Sequence, residues 1–240
     1  MRRIRIRVAY DGAPFHGWQV QPGLPTIQGT LEDILSGIEG RPVQVAGSGR
    51  TDTGVHALEQ VAAFSLENPI PPANLQLAMN RLLPPSVRIL SAEEVPPAFH
   101  PRFDARAKTY EYRIFRAAVC PPFEWPYVHH YPYPLDEGAI ERLAGAFAGE
   151  HDFTAFAASD ERDAEGRSKV RRIFSSAAWR EGDRLFYRVR GSGFLKHMVR
   201  NLVGTLLEAG KGNIADLDSL PPKSGPTVPA KGLFLVAVEY

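Results

Sequence analysis

The sequence predicts an α+β protein of two consecutive ferredoxin-like β-α-β-β-α-β halves, with adjoining antiparallel sheets and a cleft between them. Three observations predict it. Apolar and polar residues alternate in several short segments, the pattern of half-buried strands. Among them lie four longer segments whose apolar residues fall on a helical stripe. The element order of residues 1–104 then recurs in residues 105–240, in order alone, since the residues of the two halves do not match.

In the first half, Ile4, Ile6 and Val8 alternate with Arg5 and Arg7 in a strand over residues 4–9, ended by the turn Tyr10-Asp11-Gly12. Thr26 is placed to cap a helix with the stripe Ile27, Leu31, Ile34, Leu35 and Ile38, closed near Gly40. Residues 42–47 read as a short strand and the apolar run 60–66 as another, with the glycine-dense loop Gly47 to Gly54 between them. Leu75, Leu77, Met79, Leu82 and Leu83 mark a helix over 73–83, stopped by Pro84-Pro85. Val87 to Leu90 opens the last strand of the half.

The second half begins with an alternating strand, Lys108 to Phe115, and a surface excursion over 117–135 rich in proline and aromatics. Asp136 caps a helix over 136–148 carrying Ile140, Leu143 and Phe147. Val170 to Trp179 and Leu185 to Val189 are strands joined by the turn Glu181-Gly182-Asp183. Phe194 to Ala209 is the longest helix and Leu233 to Val238 the closing strand. The stretch 160–168 has no apolar anchor and reads as an exposed, mobile loop, with a flap that orders on RNA through Arg162, Arg167, Lys169, Arg171 and Arg172 as its functional reading.

Hydrophobic residues make up 44% of the 240, ample for one large or two small cores. Lys plus Arg number 28 against 27 for Asp plus Glu, so a basic coat for non-specific nucleic-acid binding is excluded. An RNA partner would have to be met by a local basic cleft. Cys120 is the sole cysteine, which rules out an intrachain disulfide and multi-cysteine metal sites, and it reads as buried filler beside Pro121-Pro122. Met1-Arg2-Arg3 is followed by alternation instead of an apolar core, so no signal peptide is expected. No run reaches the roughly 20 apolar residues of a membrane span. A soluble, cytoplasmic protein without membrane contact is the expectation.

Gly49-Arg50-Thr51-Asp52-Thr53-Gly54-Val55-His56-Ala57 is the most informative stretch. Its glycines allow tight turning or close approach to a ligand, and they flank one carboxylate and one guanidinium on a loop between strands. A carboxylate there can be a base, a nucleophile, a metal ligand or a cap on its own turn. Asp52-Thr53-Gly54 is also the aspartic-protease tripeptide, but that chemistry needs two such aspartates in an all-β frame, and this chain has one copy and four helical segments. The histidines make no metal-ligand spacing, and there is no phosphate-binding glycine motif, so neither metal nor nucleotide cofactor is expected.

The same nine residues, 49–57, resemble the signature loop of the TruA-type tRNA pseudouridine synthases. The likeness continues in Tyr10-Asp11-Gly12 with Phe15-His16-Gly17-Trp18-Gln19, and in Phe103-Asp104-Ala105-Arg106 leading to Lys108-Thr109-Tyr110-Glu111-Tyr112. It extends through His151 to Phe156, Gly193 to Gly204 and Pro229 to Leu233. The resemblance implies a homodimer that acts without cofactor or metal on the tRNA anticodon stem-loop, at nucleotide positions 38, 39 and 40. It implies Asp52 as the catalytic aspartate and Tyr110 as the aromatic that packs on the target base. It implies Arg200 as the basic partner of the aspartate, and Arg50 as the arginine that helps extrude the uridine.

These residue types suit the chemistry. Pseudouridine formation breaks the bond from ribose C1′ to uracil N1, turns the base and joins C1′ to C5. A carboxylate can steady the positive sugar, bond to it, add to C6 of the base, or deprotonate C2′. A flat ring lets the detached uracil turn in its plane, and Tyr110 or a water molecule could accept the C5 proton. A helix-borne Arg200 could keep Asp52 ionised. Backbone contacts to RNA are expected from Arg5, Arg7, Arg102, Arg106, Lys108 and the 162–172 cluster. Two rival readings are a non-catalytic RNA-binding protein, which would form no pseudouridine, and an RNA N-glycosidase, which would release uracil.

Overall fold

The computed structural model describes residues 1–159, 166, 168–216 and 225–240. Among them are four α-helices and strands that pair mostly antiparallel, an α+β arrangement. The loop expected at 160–168 lies, apart from Gly166 and Ser168, outside the described residues. The chain divides into two compact units, Met1–Arg106 with Phe234–Tyr240, and Ala107–Leu233. Against the expected halves 1–104 and 105–240, residues 234–240 return to the first unit.

In the first unit, β1 (Arg2–Tyr10) lies between β3 (His56–Leu66) and β4 (Val87–Val95), antiparallel to both. Ile4, Ile6 and Val8 are wholly buried, as the alternation requires. The intervening arginines have acidic partners: Arg5 donates to Glu93 at 2.8 and 3.0 Å, and Arg7 pairs with Glu59. Both were expected to face RNA phosphates; the structure uses them to tie β1 to its two neighbours.

Helix α1 (Ile27–Glu39) follows its sequence signals closely. Thr26 accepts the Gly29 N–H at 3.2 Å, Gly40 ends the helix at φ 77°, and Ile27, Leu31 and Leu35 are buried. Of the strand expected over 42–47 only β2 (Ala46–Gly47) forms, paired with β3. The preceding backbone bonds to α1 side chains: Val43 N–H donates to Ser36 Oγ and Val45 N–H to Glu32 Oε1, each at 2.9 Å. Helix α2 (Pro72–Leu82) buries Leu75 and Met79. The closing strand β10 (Leu233–Glu239) pairs in parallel with β3 through Phe234 with His56 and Leu235 with Ala57.

In the second unit the sheet order is β5 (Ala107–Phe115), β9 (Arg184–Gly191), β8 (Val170–Glu181), β7 (Gly149–Asp152), all neighbours antiparallel. A two-residue strand β6 (His129–His130) runs parallel to β5 within the excursion 117–135. Strand β7 has no apolar alternation and gave no signal in the sequence. Helix α3 (Glu137–Ala146) is capped by Asp136, which accepts from Ala139 N–H at 3.0 Å.

Helix α4 (Met198–Gly210) starts four residues later than Phe194, where the stripe begins. His197 has φ 60°, the one positive-φ non-glycine among the described residues, and a residue in that conformation cannot continue a right-handed helix. Most of α4 is buried, including Asn201 and Thr205. Gly204 permits the backbone at Pro226 to cross it, for a Cβ there would lie 1.8 Å from the Pro226 carbonyl oxygen. Cys120 is half-buried, less so than filler would be.

Candidate active site

The loop bearing Asp52 is shaped by its neighbours' contacts. Thr51 is buried and gripped twice: its hydroxyl bonds to the Tyr10 hydroxyl at 2.8 Å, and its carbonyl accepts the Trp18 N–H at 3.0 Å. Burial pushes the Tyr10 phenol up to about 12, with the Thr51 and Gln60 hydrogen bonds acting in the opposite direction. Tyr10 therefore stays protonated around neutral pH. Upstream, the fully buried Gln60 accepts from Ser48 Oγ at 2.5 Å and donates to the Gly49 carbonyl at 3.1 Å. Downstream, Val55 N–H donates to the Asp52 carbonyl at 3.1 Å, and Gly54 takes φ 77°.

Two glycines outside the loop let other backbone lie directly against it. A Cβ on Gly12 would sit 2.0 Å from the Val55 carbonyl oxygen. One on Gly17, at φ 87°, would sit 2.7 Å from the Thr51 carbonyl oxygen. His56, immediately after the loop, is buried, with Nδ1 3.1 Å from both the Gly12 amide and Asp11 Oδ1, and its ring stacks on Phe234 at 4.7 Å. Asp52 itself is half-exposed at the rim of this framework, and Arg50 is exposed, donating from Nε to Gln19 Oε1 at 3.0 Å. The structure thus brings Arg50 and Asp52 together on one anchored loop of the first unit.

Tyr110 and Arg200 belong to the second unit. Tyr110 is 9% exposed in β5, and its ring meets the ring of Phe194 edge-on at 5.0 Å. Arg200 stands in the first turn of α4, where a positive charge is disfavoured by the helix dipole. Its Nε donates to the Val228 carbonyl at 2.8 Å, while the buried Tyr112 hydroxyl donates to the next carbonyl, Pro229, at 2.7 Å. Burial raises the Tyr112 phenol well above its ordinary value, and the charge of Arg200 acts in the opposite direction. Arg200 and Tyr112 hold successive carbonyls of one strand of chain.

Among the described residues, no group of three or more His, Cys, Asp or Glu is placed to hold a metal ion, and no helix is long and apolar enough to cross a membrane.

Residues 6–104 and 143–240 match the family model of tRNA pseudouridine synthases. The chain belongs to this family. It is 75% identical, over 240 residues and the full length of both chains, to the tRNA pseudouridine synthase A of Solibacter usitatus. It is 46% identical over 213 residues to that of Halalkalibacterium halodurans, covering 88% of this chain and 80% of the relative. With that of Brevibacillus brevis the identity is 41% over the full length of both. Synthases of this family are isomerases that convert uridine to pseudouridine in tRNA.

Arg50, Asp52 and Arg200 fall within the two segments matched to the pseudouridine synthase model, whereas Tyr110 falls in the stretch between them, which the full-length relatives cover. The residues that sequence reasoning left without a role in the synthase are Tyr10, Gly12, Gly17, Trp18, Gln60 and His56. All but Gln60 lie in motifs that carry the resemblance, His56 in the signature stretch itself, but nothing in a linear sequence says that the motifs of Tyr10, Gly12, Gly17 and Trp18 fold against the Asp52 loop. Gln60 gave a fainter signal, a polar residue at the head of an apolar run.

Proposed function

We propose that this synthase acts on the tRNA anticodon stem-loop, at nucleotide positions 38, 39 and 40, as a cytoplasmic homodimer without cofactor or metal, and that Asp52 is its catalytic group. In this reading each half of the chain is ferredoxin-like. The observation that carries it is the anchoring of the Asp52 loop. Tyr10, Trp18 and Gln60 fix the backbone leading into Asp52, and Val55 N–H bonds to the Asp52 carbonyl from the other side, so the carboxylate is carried on an anchored backbone. Such preorganisation is what charge stabilisation in a transition state requires.

The C1′–N1 bond of the target uridine breaks with its electron pair passing to uracil, and Asp52 takes up the electron-poor sugar carbon. Tyr110 supports the uracil while it turns. The C5 carbon then bonds to C1′ as the Asp52 carboxylate leaves it with its electron pair, the C5 proton departs, and N1 gains a proton, so the RNA keeps its composition and the carboxylate is regenerated. Arg200 provides the positive charge that the family resemblance pairs with the carboxylate. Arg50 bonds to the place the uridine vacates, offsetting part of the few kcal/mol that unstacking costs.

The test is incubation of purified protein with unmodified tRNA transcripts, followed by mapping of pseudouridine at single-nucleotide resolution. Pseudouridine at positions 38 to 40 is the expected result. Modification confined to another arm of the tRNA would overturn the site assignment, and free uracil with abasic RNA would overturn the reaction.

A further inference from the structure

Arg50 is joined to helix α1 by a row of side chains whose hydrogen bonds all run in one direction. Its Nε donates to Gln19 Oε1 at 3.0 Å, Gln19 Nε2 donates to Gln28 Oε1 at 2.8 Å, and Gln28 Nε2 donates to Glu32 Oε1 at 2.9 Å. Gln28 and Glu32 stand one turn apart on α1. The two ends fix the sense of the row. A carboxylate accepts and a guanidinium only donates, so each amide between them has one orientation that satisfies both neighbours. Two backbone groups agree with it, Val20 N–H donating to Gln28 Oε1 at 3.1 Å and Val45 N–H to Glu32 Oε1 at 2.9 Å. Bonds aligned in this way polarise and strengthen one another.

The backbone that carries Gln19 is fixed as well. Trp18 N–H donates to the Thr51 carbonyl and the Trp18 carbonyl accepts the Gln28 N–H, each at 3.0 Å. Gln19 therefore sits on chain tied both to the Asp52 loop and to the first turn of α1.

The kind of partner matters. Elsewhere in this unit Arg5 and Arg7 are paired with carboxylates, which offset their charge. Arg50 is exposed and is held by a neutral amide, which directs the side chain without cancelling its charge. The bond uses Nε, and the N–H donors of the two Nη groups are left for RNA. A long arginine side chain loses much rotamer freedom on binding, and one already held loses less.

We infer that Gln19 is a positioning residue for Arg50, oriented in its turn by Gln28 and Glu32, and that this row sets the guanidinium ready to enter the stem as the target uridine leaves. The inference rests on the reading of Arg50 as the arginine of base extrusion and extends it to three residues that act through it.

The experiment is a double-mutant cycle on full-length protein, using tRNA that carries 2-aminopurine beside the target uridine, with protein in saturating excess. Gln19→Met keeps the length of the side chain and removes the acceptor. It is expected to slow the rise of the 2-aminopurine signal about fivefold, the worth of one hydrogen bond, with the Kd for tRNA within about twofold of wild type. In an Arg50→Ala background the same change is expected to slow extrusion no further, because the two residues act as one unit. Glu32→Gln still accepts from Val45 but no longer fixes the sense of the row, and should slow extrusion about twofold, again only where Arg50 is present. Should Gln19→Met fail to fold by urea unfolding, Glu32→Gln decides through the same cycle. An effect that persists undiminished without Arg50 would mark a merely structural role and sink the inference. Unchanged or faster extrusion with Arg50 present would sink it too, and in both cases the reading of Arg50 stands. Unchanged extrusion in Arg50→Ala itself would remove both.

Discussion

The Asp52 loop and helix α4 are built by the same device and differ in one respect. Each relies on a glycine where backbone meets backbone, Gly12 against Val55 in one and Gly204 against Pro226 in the other. In the first, the bolts are side chains of other residues, with Tyr10 and Gln60 holding Thr51, Ser48 and Gly49. In the second, the candidate functional side chain is itself a bolt, because Arg200 donates to the Val228 carbonyl. Where other side chains anchor the backbone, as Tyr10 and Gln60 do beside Asp52, changing the functional group leaves those anchors in place. Where the functional side chain is itself an anchor, as Arg200 is, stability and activity are lost together.

The largest expected effect tests the first side of that contrast. Asp52→Asn should lower single-turnover pseudouridine formation by at least about a thousandfold, in the range of losing a principal catalytic group, while urea unfolding stays close to wild type. Residual activity within tenfold of wild type would end Asp52's claim. Gly12→Ala and Gly204→Ala should both destabilise, by about 1 to 3 kcal/mol, as overpacking does. The contrast sharpens if Gly12→Ala also reduces turnover of the remaining folded protein, read from activity per folded fraction.

Arg200→Ala should cost about 1 to 2 kcal/mol of stability, through loss of a charged hydrogen bond, together with activity. Arg200→Lys should recover part of the stability and less of the activity, and an equal recovery of both would blur the distinction. Tyr10→Phe should cost about 1 kcal/mol and slow turnover a few-fold. The phenol ordinarily titrates at 10.0 and is raised here to about 12. Its contribution is therefore complete below pH 10 and lost as pH climbs from 10 towards 12, so the stability difference between Tyr10→Phe and wild type should shrink across that window. The smallest effect is expected at Arg50→Ala, which should weaken the 2-aminopurine signal of an extruded base while leaving stem binding nearly intact. An unchanged extrusion signal would count against its assigned role.

What could be read in the sequence was what depends on neighbours along the chain. Thr26 and Gly40 bracket α1, Asp136 caps α3, and the period-two burial of Ile4, Ile6 and Val8 follows from geometry within a few residues. Asp52 and Arg50 stood out because glycines surround them. What was not legible depends on distant partners. Arg5 and Arg7 looked available for RNA, but Glu93 and Glu59 take them, and only strand register reveals that. Residues 42–45 had strand propensity, yet α1 offered their amides better-placed acceptors. Phe194 fits the apolar stripe of α4, but His197 breaks the helix before it and leaves that ring to Tyr110.

The return of residues 234–240 to the first unit has a consequence for how the protein is made. Phe234 lies against His56, next to the Asp52 loop, and Tyr240 lies against Phe99 while donating to the Pro101 carbonyl. A ribosome delivers chains from the amino end, and domains tend to fold as they emerge. Here the opening unit waits with one edge of β3 incomplete through synthesis of the whole second unit, until residues 234–240 emerge and pair with it.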